Sequence, residues 1–242
     1  MVDSIRWGIL GTGWIANQFA QGLSELSDAE LIAVGSRTLE SAQSFAAQYG
    51  APHPHASYQA LVRDTEVDVI YVATPNPLHK EHSLLCLEAG KPVLCEKPFA
   101  LNAREAEGVI RVAREKKLFL MEAMWSRFFP LMAKVRTLLA EGVIGELQML
   151  VADLCIQFDF DPSDRRFSLD LGGGALLDLG VYPISLASML MGPPSKVTTL
   201  AHLGETGVDE QAGIVLQYGQ GQMSTLYTST RVDSPVDAIL MG

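Results

Sequence analysis

The stretch IRWGILGTGWIA, Ile5 to Ala16, joins a short apolar run to a glycine turn and then to a segment whose apolar positions recur at helical spacing as far as Leu26. Within it, Gly11-Thr12-Gly13-Trp14-Ile15-Ala16 has the form G-x-G-x-x-A. Gly11 permits a tight turn, Gly13 lets the backbone approach a pyrophosphate, and the small Ala16 allows close packing of helix on strand. An anion would then rest on the amides that open the helix, where Trp14 and Ile15 stand. Strand, glycine turn and helix in this order predict a dinucleotide-binding unit with Gly11, Gly13, Trp14 and Ile15 as its first contacts.

The next strand, Leu31 to Gly35, ends in Ser36-Arg37-Thr38. An acidic residue there would hold the ribose hydroxyls of NAD, whereas an arginine accommodates the 2′-phosphate of NADP. A guanidinium between two hydroxyls favours NADP over NAD. A helix over Leu39 to Gln48, a loop containing Pro52 and Pro54, and a short helix over Ser57 to Arg63 follow. Val67 to Ala73 is a fully apolar strand ending in Thr74-Pro75-Asn76-Pro77, whose prolines fix the backbone beside the cofactor cleft. Thr74 and Asn76 are candidate contacts there, Asn76 to a ribose or carboxamide. His79, on the first turn of a helix running to Gly90, reads either as a ligand contact or as an exposed histidine.

Val93 to Asn102, VLCEKPFALN, begins as a strand and runs into Glu96-Lys97-Pro98. Proline has no N–H for a ladder and restricts the residue before it, so Lys97 must leave the sheet. Ligands bind outside the carboxyl ends of such strands, and Glu96 and Lys97 therefore read as side chains delivered to a site. A helix over Ala103 to Lys116, capped by Asn102, and a strand over Leu118 to Met121 complete a doubly wound parallel sheet. Residues 1–122 are expected to form an α/β Rossmann domain that binds NADP.

From residue 123 the pattern changes. In MEAMWSRFFP an aromatic cluster reads mainly as core, except Trp125, which follows a strand end and offers an apolar wall that excludes water from hydride transfer. A helix over Pro130 to Glu141 and a strand over Glu146 to Asp159 precede a polar loop with Arg165 and Arg166. Gly172 to Tyr182, GGGALLDLGVY, opens a long helix in which Asp178 and Tyr182, four apart, share one face. An acid and a phenol among Leu, Val and Ala are costly to bury without partners. Val197 to Leu203, Glu210 to Tyr218, Gln222 to Ser229 and Val236 to Met241 read as strands, with Gly219-Gln-Gly221 a hairpin turn. Residues 123–242 are expected to form an α+β domain with a mostly antiparallel open sheet.

With 242 residues, 48% hydrophobic and 19% charged, the composition is that of a globular protein. A net charge of -10 argues against a nucleic-acid partner. Three cysteines without C-x-x-C spacing indicate neither a disulfide framework nor a metal site, and fit a reduced, cytoplasmic setting. Met1 to Arg6 lacks the pattern of a signal peptide. Ala175 to Met191, interrupted by Asp178 and Pro183, reads as too short to span a membrane.

Taken together, the G-x-G-x-x-A turn, Glu96-Lys97-Pro98 and GGGALLDLGVY resemble the Gfo/Idh/MocA oxidoreductases over essentially the whole chain. MEAMWSRFFP, GGALLDLGVYPI and ETGVDE are most similar to the branch of dimeric dihydrodiol dehydrogenases and NADP-dependent D-xylose 1-dehydrogenases. The resemblance implies hydride transfer between NADP and the hydroxyl carbon of a sugar, polyol or trans-dihydrodiol, with two copies associating as a homodimer through the open sheet. It makes Lys97, Asp178 and Tyr182 the catalytic set, Trp125 and Phe158 pocket aromatics, and Arg166 an arginine near the cofactor. Tyr182 would be the general base. A phenol, with an ordinary pKa of about 10, needs a nearby cation for that role, and Lys97 supplies one, oriented by Asp178. The family's second domain continues past the position of Gly242, so the resemblance implies a C-terminally incomplete domain. It leaves room for a non-catalytic NADP-binding sensor, an inactive shortened relative, or another sugar or inositol dehydrogenase.

Overall fold

The computed structural model describes residues 4–242. Met1, Val2 and Asp3, part of the stretch read above for a leader, lie outside the described residues. The chain divides into two compact units, Met1–Ala123 and Met124–Gly242.

In the first unit, β1 (Ile5–Leu10), α1 (Trp14–Ser24), β2 (Ala29–Gly35), α2 (Leu39–Tyr49), β3 (His53–His55), α3 (Tyr58–Val62), β4 (Val69–Val72), α4 (His79–Glu88), β5 (Val93–Cys95), α5 (Ala103–Lys116) and β6 (Leu120–Glu122) alternate. The six strands lie in the order β3-β2-β1-β4-β5-β6, all parallel, so the sheet reverses direction of growth beside β1. Both faces are covered. Leu10, Ile70, Val72, Leu87 and Val93 lead one core, and Ile9, Val34, Phe45 and Tyr71 the other. Three helices begin on a side chain that accepts a backbone N–H: Thr38 for α2, Ser57 for α3 and Asn102 for α5.

The loop expected around Pro52 and Pro54 contains a strand instead. β3 pairs with β2, Ala33 opposite His53, and an edge of three residues tolerates a proline that an inner strand would reject. Asp64 ties this edge down, its Oδ2 lying 2.8 Å from His53 Nδ1 and 2.9 Å from His55 Nε2.

The second unit contains α6 (Pro130–Ala140), β7 (Met149–Cys155), α7 (Val181–Met191), β8 (Lys196–Leu203), β9 (Asp209–Gln217), β10 (Met223–Ser229) and β11 (Ala238–Met241). Its sheet runs β11-β7-β10-β9-β8, antiparallel except for the β7–β10 pair. Helix α7 packs on one face, where Ala187, Ile184 and Met191 meet Leu150, Ile214, Leu216 and Leu226.

The helical run Leu169–Met191, which extends the stretch Ala175 to Met191 read above as too short, contains an 18-residue window of mean hydropathy 1.5 and is long and apolar enough to cross a membrane by length and composition, which corrects that reading. Its structure argues for a core role: the left-handed Gly172 breaks the run, Asp178 pairs with Arg165 before the run, and α7 is packed on the sheet. Nor is the long helix regular. A π-turn, Leu176–Gly180, precedes α7, so the spacing from Asp178 to Tyr182 crosses two helical geometries rather than following one α-helical face.

Candidate functional site

In the first unit, pairing register explains why the candidate cofactor residues gather. Gly35 lies beside Leu10, Leu10 beside Val72, Val72 beside Cys95 and Cys95 beside Glu122. The segments that follow, Gly11 to Gly13, Ser36 to Thr38, Thr74 to Asn76 and Glu96 to Lys97, therefore leave the sheet along one edge. Gly11 has φ +110°, and a Cβ there would meet the Ala73 carbonyl oxygen at 2.8 Å. Only glycine allows β1 to turn so close to β4. Gly13 precedes α1 without capping it through a side chain, and a Cβ built on it would meet nothing within 4 Å. Open backbone amides at the start of an 11-residue helix are what a pyrophosphate requires. Beside them Trp14 is 75% exposed and Ile15 half-buried.

At the end of β2, Ser36 is buried with its hydroxyl 3.5 Å from that of Thr12, and Arg37 is exposed. Arg37 stands close enough to Tyr58 for its charge to oppose the upward push that burial gives the phenol. Thr38 is occupied as the cap of α2.

Two expected cofactor contacts face inward. His79, read as a ligand contact or an exposed residue, is 1% exposed, with Nδ1 2.7 Å from the Pro98 carbonyl and Nε2 2.7 Å from the Thr74 carbonyl. Both ring nitrogens face main chain, so the side chain positions two site loops instead of reaching a ligand, and burial holds its pKa below the ordinary value. Glu96 is buried too, accepting from the Tyr71 hydroxyl and, at 3.0 Å, from the Lys97 amide. Burial pushes its carboxyl up. Thr74 is buried against His82 at 3.0 Å, whereas Asn76 and Lys97 are half-buried. Among the described residues no group of three or more His, Cys, Asp or Glu is placed to hold a metal ion.

In the second unit, Trp125 is 51% exposed and its indole N–H donates to the Tyr182 hydroxyl at 3.1 Å. The rings meet edge-on with centroids 5.8 Å apart, and Phe129 packs edge-on against Trp125 at 4.9 Å. Phe128 and Phe129 are exposed, which corrects their reading as core. The segment is pinned to α7, since Arg127 Nη2 donates to the Ser185 carbonyl at 3.4 Å.

Asp178 is buried and its Oδ1 lies 3.3 and 3.4 Å from the two terminal nitrogens of Arg165. Arg165 was missed in the sequence because two adjacent arginines in a polar loop look alike. Arg166 goes elsewhere: it forks onto Asp164 at 2.6 and 2.8 Å and stacks 3.9 Å over the Phe158 ring, holding Asp164 down to about 2. Within this unit Arg166 braces Phe158. Gly173 makes the arrangement possible, because a Cβ there would meet the Arg166 and Arg165 carbonyl oxygens at 2.5 and 2.6 Å.

Comparison with known proteins agrees with this architecture. Residues 5–124 match an oxidoreductase family with an NAD-binding Rossmann fold, and residues 132–241 match the GFO/IDH/MocA C-terminal domain. The trans-1,2-dihydrobenzene-1,2-diol dehydrogenase of Mus musculus is 41% identical over 243 residues, covering 99% of this chain and 72% of that protein. The Homo sapiens protein of the same name is 40% identical, over 89% of this chain and 65% of its own length. Among solved structures, the 3-ketoreductase KijD10 of Actinomadura kijaniata, in complex with NADP and TDP-benzene, superposes with a TM-score of 0.87 at 32% identity, covering 99% of this chain and 74% of that one. An NAD binding oxidoreductase from Klebsiella pneumoniae reaches a TM-score of 0.92 at 26% identity, over 99% and 70% of the two chains. By fold, by glycine turn and by these matches, the chain belongs to the Gfo/Idh/MocA oxidoreductase family, as an NAD(P)-binding member related to the dihydrodiol dehydrogenases.

Proposed function

We propose that the protein is an NADP-dependent dehydrogenase acting on a secondary or anomeric hydroxyl carbon of a sugar or trans-dihydrodiol. The observation that carries the reading is the single edge in the first unit where the open α1 amides, the Arg37 end of β2 and the Lys97 turn emerge side by side. NADP, when bound, supplies the nicotinamide carbon that accepts or returns hydride. The chain's residues do the rest. The Gly11–Gly13 turn and α1 would hold the pyrophosphate, Ser36 and Arg37 the 2′-phosphate, and Asn76 a ribose or carboxamide. The catalytic set implied by the family resemblance would give Tyr182 the hydroxyl proton as general base, Lys97 the favouring positive charge and Asp178 an orienting role. Trp125 and Phe158 would form the apolar wall toward substrate. The names of the relatives support the substrate class.

Arg37→Ala is the direct test of the cofactor assignment. Losing a charge-assisted phosphate contact is expected to weaken NADP binding about tenfold or more while NAD binding hardly moves. Equal loss for both, in fluorescence titrations with NADPH and NADH, would remove the 2′-phosphate from the reading.

We further propose that the open face of the second sheet pairs with a second copy. Opposite the face covered by α7, register aligns Leu200, Gly213, Tyr227 and Asp153 in one row and Thr198, Val215, Thr225, Val151 and Ile239 in the next. Leu200 is 84% exposed on this face, and Tyr227 and Ile239 are exposed on it too, large apolar side chains that a second copy would cover. Leu200→Glu is expected to convert a dimer to a monomer in sedimentation velocity. A monomeric wild type, or a variant that stays dimeric, contradicts this.

A further inference from the structure

Tyr71 lies in the middle of β4, 1% exposed, in a sheet core otherwise built from aliphatic and aromatic side chains. Its ring stacks on Phe19 of α1, centroids 3.9 Å apart and planes 17° from parallel, and Phe19 is edge-on to Trp7 at 5.1 Å. This fixes where the hydroxyl points. It donates to Oε1 of Glu96, one residue beyond the end of β5. The other carboxylate oxygen of Glu96, Oε2, accepts the backbone N–H of Lys97 at 3.0 Å, while the Glu96 amide itself donates to the Val72 carbonyl at 3.0 Å.

The rest of the turn is held in the same manner. Pro98 presents its carbonyl to His79 at 2.7 Å, and the Phe99 amide donates to Glu122 Oε1 at 2.9 Å. A phenol and a carboxylic acid are expensive to bury, and a buried polar pair is rarely the most stable filling for a core. A phenylalanine at position 71 would pack equally well against Phe19. What the hydroxyl adds is a fixed Glu96 rotamer, and what that rotamer adds is one fixed amide, that of Lys97.

We propose that Tyr71 is a positioning residue that acts through Glu96 to fix the backbone from which the Lys97 side chain projects. The proposal rests on the role assigned to Lys97 above. Tyr71 is buried behind the turn, and the comparison it invites is with a tether, whose loss loosens the lysine without removing it.

Amide hydrogen exchange on the full 242-residue chain, read residue by residue by NMR, tests the tether without requiring turnover. In Tyr71→Phe the Lys97 amide is expected to exchange about tenfold faster than in wild type, because its hydrogen bond has lost a fixed acceptor. Ile9 and Val34, buried on β1 and β2, should keep their rates, which separates local loosening from global destabilisation. Turnover should fall about tenfold with the Michaelis constant for NADPH unchanged. Glu96→Gln retains an oxygen for the Lys97 amide and an NH2 for the Tyr71 oxygen, so it should keep the protection of Lys97. This second variant carries the test if Tyr71→Phe does not fold. Unchanged Lys97 exchange in Tyr71→Phe, or lost protection in Glu96→Gln with Ile9 and Val34 intact, overturns the proposal. If instead Lys97→Met keeps its turnover while the exchange results hold, the tether stands and the role given to Lys97 is what fails.

Discussion

Lys97→Met is expected to keep NADPH binding and lose turnover by roughly 10²- to 10⁴-fold, the range that a positioned proton-handling group contributes. Methionine preserves the length of the stem and removes the charge. The fold should tolerate it because the turn is anchored by main-chain groups, the Lys97 and Phe99 amides and the Pro98 carbonyl, which the substitution leaves unchanged. The cofactor contacts proposed above come mainly from the Gly11–Gly13 turn and Arg37, so fluorescence titration should give a dissociation constant for NADPH close to wild type. Turnover near wild type would end the assignment of Lys97, and loss of NADPH binding would recast it as a cofactor anchor.

Tyr182→Phe is expected to lower the rate at neutral pH by a similar factor, about 10²- to 10⁴-fold, through removal of the proposed base. The ring is retained, with its edge-on packing against Trp125, so α7 and the Phe129–Trp125 pair should stay in place. The indole N–H of Trp125 loses its acceptor, at a site exposed enough for water to replace it. Circular dichroism should therefore be unchanged while kcat falls and KM moves little, the pattern of an interaction made in the transition state. An unchanged kcat would transfer the proton role to another group.

The parallel sheet was legible because its inner strands carry apolar runs, Trp7 to Leu10, Leu31 to Val34, Val69 to Val72 and Val93 to Cys95, followed within a few residues by Gly or Pro, signals that depend on near neighbours. Ile5–Leu10 and Val93–Cys95 run between the residues the sequence indicates, and Ala103–Lys116 starts on the expected Asn102 cap. β3 was illegible because His53-Pro54-His55 has no strand signal of its own and exists through pairing to β2. The irregular geometry at Leu176–Gly180 was hidden for the opposite reason, since an apolar run with helical spacing does not reveal an extra residue per turn.

At the site, residue types were more legible than their directions. Glu96 and His79 stood out as polar residues beside a strand end, and the structure turns both inward to main-chain partners. Which of two adjacent arginines meets Asp178 depends on one short turn between Asp164 and Ser168, and the sequence carries no periodicity there to decide it. The bond from Trp125 to Tyr182 was not legible, because it joins residues 57 positions apart.

Under the proposed function, the protein moves hydride between a carbinol carbon and NADP. Incubation of the purified chain with NADP+ and, separately, D-xylose, D-glucose and a trans-dihydrodiol, followed at the absorbance of NADPH, tests it most directly. NADP+ reduction is expected with at least one of the three, abolished in Lys97→Met. NADPH binding without reduction by any of them would contradict it and leave an NADP-binding protein that does no redox chemistry on these substrates.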